Sequence, residues 1–360
     1  MTYLTATEAL TLMRQGNLQP SSLLNISLER IRQREQNLRA WQSLAVETAC
    51  SQALLMDQKG PGMGAAADLP LRGIPVAIKD IFSTADLPTT WGTSIYQGRY
   101  LAEDAAVVAR LKSAGAIILG TTVTTEFATA AAGPTRNPHN LEHTPGGSSS
   151  GSAAAVADSM VPIALGSQTM GSILRPAAYC GFKPSFGVIS HHGMMPVSAE
   201  LDHVGLFACA FGLATHHGEV IHRHRDQVSD LLLTWVERGE RLDETEYKAI
   251  QQRADAYRSA LSDIFAAYDA ILTPVTTGAA PPGLESTGSP IFCGLWTLCG
   301  VPAINLPLVK DPFGLPLGCQ LVGKYLADFS LLTWARWCWA VLVEDFGDIE
   351  VTITNFPSPQ

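Results

Sequence analysis

Apolar positions recur at helical spacing from the start of the chain. Ala6, Ala9, Leu10 and Met13 follow Thr5, with Glu8 three positions on. That is a capping-box start for a helix over residues 5–14, which Gly16 can end. Leu23, Leu24, Ile26, Leu28 and Ile31, behind Pro20–Ser21, predict a second helix. Residues 60–71, rich in Gly, Pro and Ala, read as an exposed loop. The pattern then changes. Ile74–Pro75–Val76–Ala77–Ile78–Lys79–Asp80 is a short apolar run ending in charge, which predicts a buried strand delivering Lys79 at its end. A helix over 104–113 and a buried strand at Ala116–Leu119 follow. This rhythm predicts an α/β architecture with a largely parallel or mixed sheet. Residues 145–152 read as a Gly/Ser loop, and Ala153–Ala157 as a helix small enough to pack closely on the sheet.

Farther on, Tyr247, Ile250, Ala254, Tyr257, Leu261 and Ile264 share one face of a predicted helix over Glu244–Phe265. Ala270–Pro274, Gly300–Leu308 and Leu317–Val322 read as strands, the last two joined by a turn at 312–314. Trp334, Trp337 and Trp339 sit on a predicted helix near 331–343 and read as packing residues. No repeat or linker divides the chain. Residues 1–345 are expected to form a single domain and 346–360, without a clear period, a loose tail.

Composition narrows the function classes. With 46% hydrophobic residues, 360 positions can bury a large core, and 16% charged residues exclude a disordered chain or a solvated helical rod. The formal charge of -9 and the lack of a basic run argue against a nucleic-acid partner. Seven scattered cysteines, odd in number, suit buried thiols of a cytoplasmic protein rather than a disulfide framework. The histidines form no HExxH or similar pattern, so neither a metal nor a cofactor is expected. Residues 1–12 lack the features of a signal peptide, and no run is apolar enough to span a bilayer. Cytoplasm without membrane contact is the expectation.

Three segments carry candidate chemistry. Thr144–Pro145–Gly146–Gly147–Ser148–Ser149–Ser150–Gly151–Ser152 could be an anion-binding nest or a flexible turn. It is no P-loop, because no Gly-Lys-Ser/Thr follows. Gly166–Ser167–Gln168–Thr169–Met170–Gly171–Ser172, followed by Arg175–Pro176, could be only a helix cap. Lys79 could be only a strand-end side chain. Together they describe a serine hydrolase with a lysine base. A lysine accepts a proton only if desolvation lowers its pKa toward neutrality, and the apolar strand before Lys79 supplies that setting. The chain has no GxSxG elbow, which argues against an α/β-hydrolase.

Gly73–Asp80, Thr144–Ala155 and Gly166–Ala178 resemble the amidase signature family. Ala105–Phe127, Gly181–Gly193, Leu201–Gly205, Asp269–Pro274 and Gly300–Gly323 extend the likeness in order. The resemblance implies an α/β fold, a mixed β-sheet core covered by helices on both faces, and hydrolysis of a small carboxylic amide to acid and ammonia. It implies Ser172 as acyl-enzyme nucleophile, Ser148 as a bridging serine after a cis peptide, and Lys79 as general base. Ser149 and Ser150 remain alternatives for the bridge. Backbone N–H groups of Thr169, Met170, Gly171 and Ser172 would form the oxyanion hole. The form Gln168–Ser172 with Arg175–Pro176 resembles small-acid amidases of the malonamidase kind, in which Arg175 would bind the substrate's free carboxylate. The other reading of Arg175 is structural, tying the following turn to nearby carbonyls. The implied partner is a small-molecule amide, with room for a homodimer.

Three departures from the family pattern stand out. Met170 replaces a small residue beside the nucleophile. Cys180–Pro184 is shorter than usual. Leu206–Leu213 runs almost directly into His216–Leu231, so the fold is expected to be shortened in the middle, with part of the sheet and one pocket wall missing. Two alternatives follow: an impaired relative serving as a binding or scaffold protein, and the amidase-like component of a tRNA-dependent amidotransferase.

Overall fold

The computed structural model describes residues 4–60, 69–129, 131–181 and 206–346. In chain order the elements are α1 (Ala6–Arg14), α2 (Pro20–Leu38), β1 (Trp41–Leu44), α3 (Val46–Gln58), β2 (Pro75–Lys79), α4 (Ala106–Ser113), β3 (Ile117–Thr122), α5 (Ser150–Ala157), β4 (Ile163–Leu165) and α6 (Leu174–Cys180). They continue with α7 (Leu206–Arg223), α8 (Asp230–Glu240), α9 (Glu244–Ala267), β5 (Ile271–Pro274), α10 (Gly294–Leu298), β6 (Ala303–Lys310), β7 (Pro316–Val322) and α11 (Asp328–Phe346). Most of the loop expected at 60–71, the blocks expected at 181–193 and 201–205, the short stretch at 180–184 and the 346–360 tail lie outside the described residues.

Two sheets form. The first has the order β1-β3-β2-β4, with β2 parallel to both β3 and β4 and β1 antiparallel at the edge. The second is antiparallel, in the order β5-β7-β6. Alternation along β2 and β3 sorts their side chains onto two faces. Val76, Ile78 and Ile118 join a core with α1, α4, α7 and α8. Ala77, Ile117 and Leu119 join one with α2, α3 and α5. Helices thus cover both faces, and each fully buried Ile or Val contributes about 1.5–3 kcal/mol.

Local chemistry explains the edges of the elements. The Thr5 hydroxyl accepts from Glu8 N–H, and the Glu8 carboxylate accepts from Thr5 N–H, completing the capping box. Helix α5 packs tightly on β3 because its residues are small: a Cβ on Gly151 would sit 2.2 Å from Ala40 O and 2.5 Å from Val123 N. In α9, Ala254 and Leu261 are buried, but Tyr257 and Ile264, expected on the same face, are exposed. Residues 206–223 form one helix, α7, packed on α8, and it carries Leu213, Ile221 and His217 into the interior. His217 lies 5.4 Å, ring to ring, from both Trp91 and Phe127, so α7 closes that side of the core.

Candidate active site

Strand β2 is buried along its whole length and ends at Lys79, which has no exposed surface. Lys79 Nζ donates to Ser148 Oγ at 2.6 Å and to Ser167 Oγ at 2.8 Å. Burial holds its pKa well below that of an ordinary lysine. Asp80 follows immediately. Its carboxylate accepts from the N–H and the hydroxyl of Thr90, and burial raises its pKa to about 6. It thereby fixes the loop that carries Trp91, whose ring lies against Arg99.

The Gly/Ser loop presents its serines in different directions. The Gly147–Ser148 peptide is cis. Ser148 O accepts from Thr125 N–H at 3.2 Å, and its hydroxyl faces Lys79. Ser149 Oγ instead donates to Ser167 O, and Ser150 Oγ to Val123 O. Of the three bridge candidates, the structure brings only Ser148 to the lysine. Thr125 begins a tight turn in which Phe127 and Ala128 adopt φ of 47° and 53°, an uncommon conformation for residues with side chains.

Ser172 meets the Gly/Ser loop from a third segment through its main chain. Its carbonyl accepts from Ser149 N–H at 3.1 Å, which sets it beside Ser148, and it is 7% exposed. The Gln168 side chain bridges the segment ahead of α6. Its Oε1 accepts from Ile173 N–H and Leu174 N–H, each at 2.9 Å, and its amide donates to Thr297 Oγ1. The preceding N–H groups, those of Thr169, Met170, Gly171 and Ser172, have no acceptor among the described residues. Such a row of open donors can receive an oxyanion. Met170 is half-buried and packs against the core that holds Phe127 and Leu213, together with Trp91 and Tyr96.

Arg175 is 4% exposed. Its terminal nitrogens donate to Gly288 O at 2.9 Å, Gly147 O at 2.7 Å and Thr287 Oγ1 at 3.2 Å. Three participants carry no role in the sequence reading: Ser167, Gln168 and Thr287. Ser167 is accessible from strand register, because Ile78 pairs with Leu165 and the next residues bring Lys79 and Ser167 together. Gln168 is visible within its motif but without a role. Thr287 has no sequence signal.

Among the described residues no His/Cys/Asp/Glu group could hold a metal ion, and no helix is long and apolar enough to cross a membrane. Cys50, Cys180, Cys293, Cys299, Cys319 and Cys338 are free thiols, and four of them are buried. Burial raises the Cys293 thiol to about 12, so it is inert as a nucleophile at neutral pH.

The chain resembles known proteins in sequence and in fold. The chain is 43% identical over 187 residues to a glutamyl-tRNA(Gln) amidotransferase subunit of Mycobacterium leprae (strain TN), a match covering 49% of this chain and 37% of the relative. It is 38% identical over 239 residues to the same subunit of Chromohalobacter salexigens, covering 62% and 48%. The chain thus spans under half the length of these curated relatives. Among solved structures, an amidase crystal structure superposes with a TM-score of 0.84 at 24% identity, covering 94% of this chain and all of the other. The corresponding glutamyl-tRNA(Gln) amidotransferase subunit of Thermotoga maritima superposes with a TM-score of 0.69 at 23% identity, covering 92% and 93%. At these identities the likeness is one of fold. The family model "Amidase" matches residues 22–211 and 214–332, and the chain belongs to the amidase signature family.

Proposed function

We propose that this protein hydrolyses a small carboxylic amide to the acid and ammonia through a Ser172 acyl-enzyme. The observation that carries the proposal is the fully buried Lys79, 2.6 Å from the Ser148 hydroxyl, with the Ser172 carbonyl held by the N–H of the next residue, Ser149. A lysine kept neutral by burial is a base at neutral pH. Ser148 gives its proton to Lys79 and takes the Ser172 proton as Ser172 Oγ attacks the amide carbon. The open N–H groups of Thr169, Met170, Gly171 and Ser172 receive the tetrahedral oxyanion, a contribution of about 3 kcal/mol per donor in other hydrolases. Collapse breaks the C–N bond, and the stored proton returns through Ser148 to the departing amine. Water then adds to the ester by the same relay and releases the acid. No step calls for a cofactor. The reading takes residues 1–345 as one amidase domain.

Ser172→Ala tests the proposal. A fluorophosphonate probe is expected to label the wild type and not the variant, and amide turnover is expected to vanish with the label. A label that persists in Ser172→Ala would place the nucleophile elsewhere.

A second reading rests on the curated relatives: an amidotransferase component that hydrolyses glutamine and passes ammonia to a partner. It predicts glutaminase activity that appears only when tRNA and a partner protein are both present. A wild type that neither labels nor turns over any amide, alone or with tRNA and a partner protein, would leave the third reading, a non-catalytic scaffold.

A further inference from the structure

The Ser148 loop and the segment between β5 and α10 come from opposite halves of the chain, and one side chain joins them. The segment between β5 and α10 runs along the loop that leads to Ser148. Thr144 N–H donates to Pro281 O at 3.2 Å, Gly283 N–H donates to Glu142 O at 2.9 Å, and His143 Nδ1 lies 2.8 Å from Ala280 O. Farther along, Thr287 sits against Gly147: a Cβ on Gly147 would fall 2.7 Å from the Thr287 methyl. Arg175 occupies the junction. It lies three residues after Ser172, and its N–H donates to Gly171 O at 2.9 Å. Its guanidinium reaches the carbonyl of Gly147, the residue before Ser148, and also Thr287 and Gly288. A planar fork of donors suits this task, because it aims two nitrogens at acceptors on two different loops.

We infer that Arg175 is a positioning residue that locks the Ser148 loop to the Ser172 segment, and that it does not anchor a substrate carboxylate. The inference rests on the amidase reading above and refines it. Both terminal nitrogens are already engaged by protein acceptors, and Nε is sealed from solvent without a partner. A carboxylate pairing with two Arg175 nitrogens at once would compete with Gly147 O or Gly288 O, and Gly147 O supports Ser148. Arg175 therefore confers no preference for half-amides that carry a second carboxylate.

The test compares wild type, Arg175→Ala, Arg175→Lys and Thr287→Val on propionamide and on malonamate. Readouts are kcat, KM, the rate of fluorophosphonate labelling and the melting temperature. Arg175→Ala is expected to lower kcat and the labelling rate at least tenfold on both substrates, with KM changing less than about threefold. Arg175→Lys should recover part of the loss, since one ammonium can serve only some of the acceptors. Thr287→Val keeps the contact with Gly147, removes one acceptor and should shift kcat in the same direction by a smaller factor. It decides the matter if Arg175→Ala does not fold, because an unchanged kcat there would overturn the inference. A selective rise in KM for malonamate, with kcat intact, would also overturn it and make Arg175 the carboxylate anchor. A wild type that is neither labelled nor active on amides would instead overturn the amidase reading, and this inference with it.

Discussion

Gly171 offers a sharp perturbation, because the structure fixes both the insult and its remedy. Its φ lies outside the left-handed region, so the backbone accepts alanine. Space does not. The new Cβ would sit 2.9 Å from Cys293 Cβ, where ordinary contact begins at 3.4 Å, while Cys293 Sγ and Pro290 Cβ lie at tolerable distances of 3.4 and 3.5 Å. The conflict is therefore with one atom. Cys293 precedes α10 and is packed without exposed surface, so the Gly171 segment must yield by about 0.5 Å. That is the tolerance of a preorganised site, and a 1 Å misplacement costs on the order of a hundredfold. Gly171→Ala should accordingly lose roughly tenfold in acylation rate, followed by stopped-flow labelling or by kcat/KM on a neutral amide. Cys293→Ala in the same background should not help, because its Cβ remains. Cys293→Gly should restore most of the rate. Full activity in Gly171→Ala, or equal rescue by both second-site changes, would refute the argument that this contact sets the oxyanion donors.

Two further outcomes follow from burial. Lys79 has a depressed folded-state pKa, so between that value and the free-lysine value of about 10.4 the unfolded chain binds a proton the folded chain lacks. The lysine's contribution to stability therefore rises with pH through that window, by about 1.4 kcal/mol for each pH unit in it. Lys79→Met should be inactive, and its denaturation free energy should lose this slope, gaining on the wild type as pH falls. Two pH–stability curves that run parallel from neutrality to pH 10 would contradict a lysine buried without charge. Met170→Ala removes a half-buried side chain that packs toward Trp91 and Phe127, and should lower KM for bulkier acyl amides several-fold while leaving the smallest amides nearly unchanged. A uniform change across an acyl-length series would remove Met170 from the pocket wall.

Much of this site can be read from the chain because it is held in short contiguous blocks. Ile74–Asp80 announces a buried strand, as a continuous apolar run must when both faces of a parallel strand are covered. The Gly/Ser loop and the Gln168–Ser172 segment announce themselves by composition. The strands β1 and β4, of four and three residues, are too short to display a period, and no local pattern assigns them. Helix α3 exposes Leu54 and Leu55 and so carries no clean apolar stripe. What no local pattern contains is pairing across the chain: Lys79 with Ser167, 88 positions away, or Arg175 with Gly288, 113 positions away. Those contacts exist only once β2, β4 and α6 have been assembled, because their specificity lies in register and in main-chain carbonyls that every residue type possesses.

The clamp formed by Thr287 and Gly288 gives the two halves of this chain different mutational robustness. The N-terminal half contributes side chains of particular chemistry: an amine, several hydroxyls and a guanidinium. The C-terminal half meets them at this junction mainly through a carbonyl oxygen and one hydroxyl. Substitutions there are buffered as long as the main-chain path survives, and serine could stand in for Thr287 as an acceptor. Gly288 is the brittle point. Its φ of +79° and the Tyr179 hydroxyl, 2.3 Å from where a Cβ would lie, exclude other residues without a shift of the backbone. Random mutagenesis of residues 276–290 should thus return a tolerant stretch interrupted at Gly288 and at Gly283, whose φ is +84°, in contrast to the narrow tolerance expected around Ser148 and Ser172.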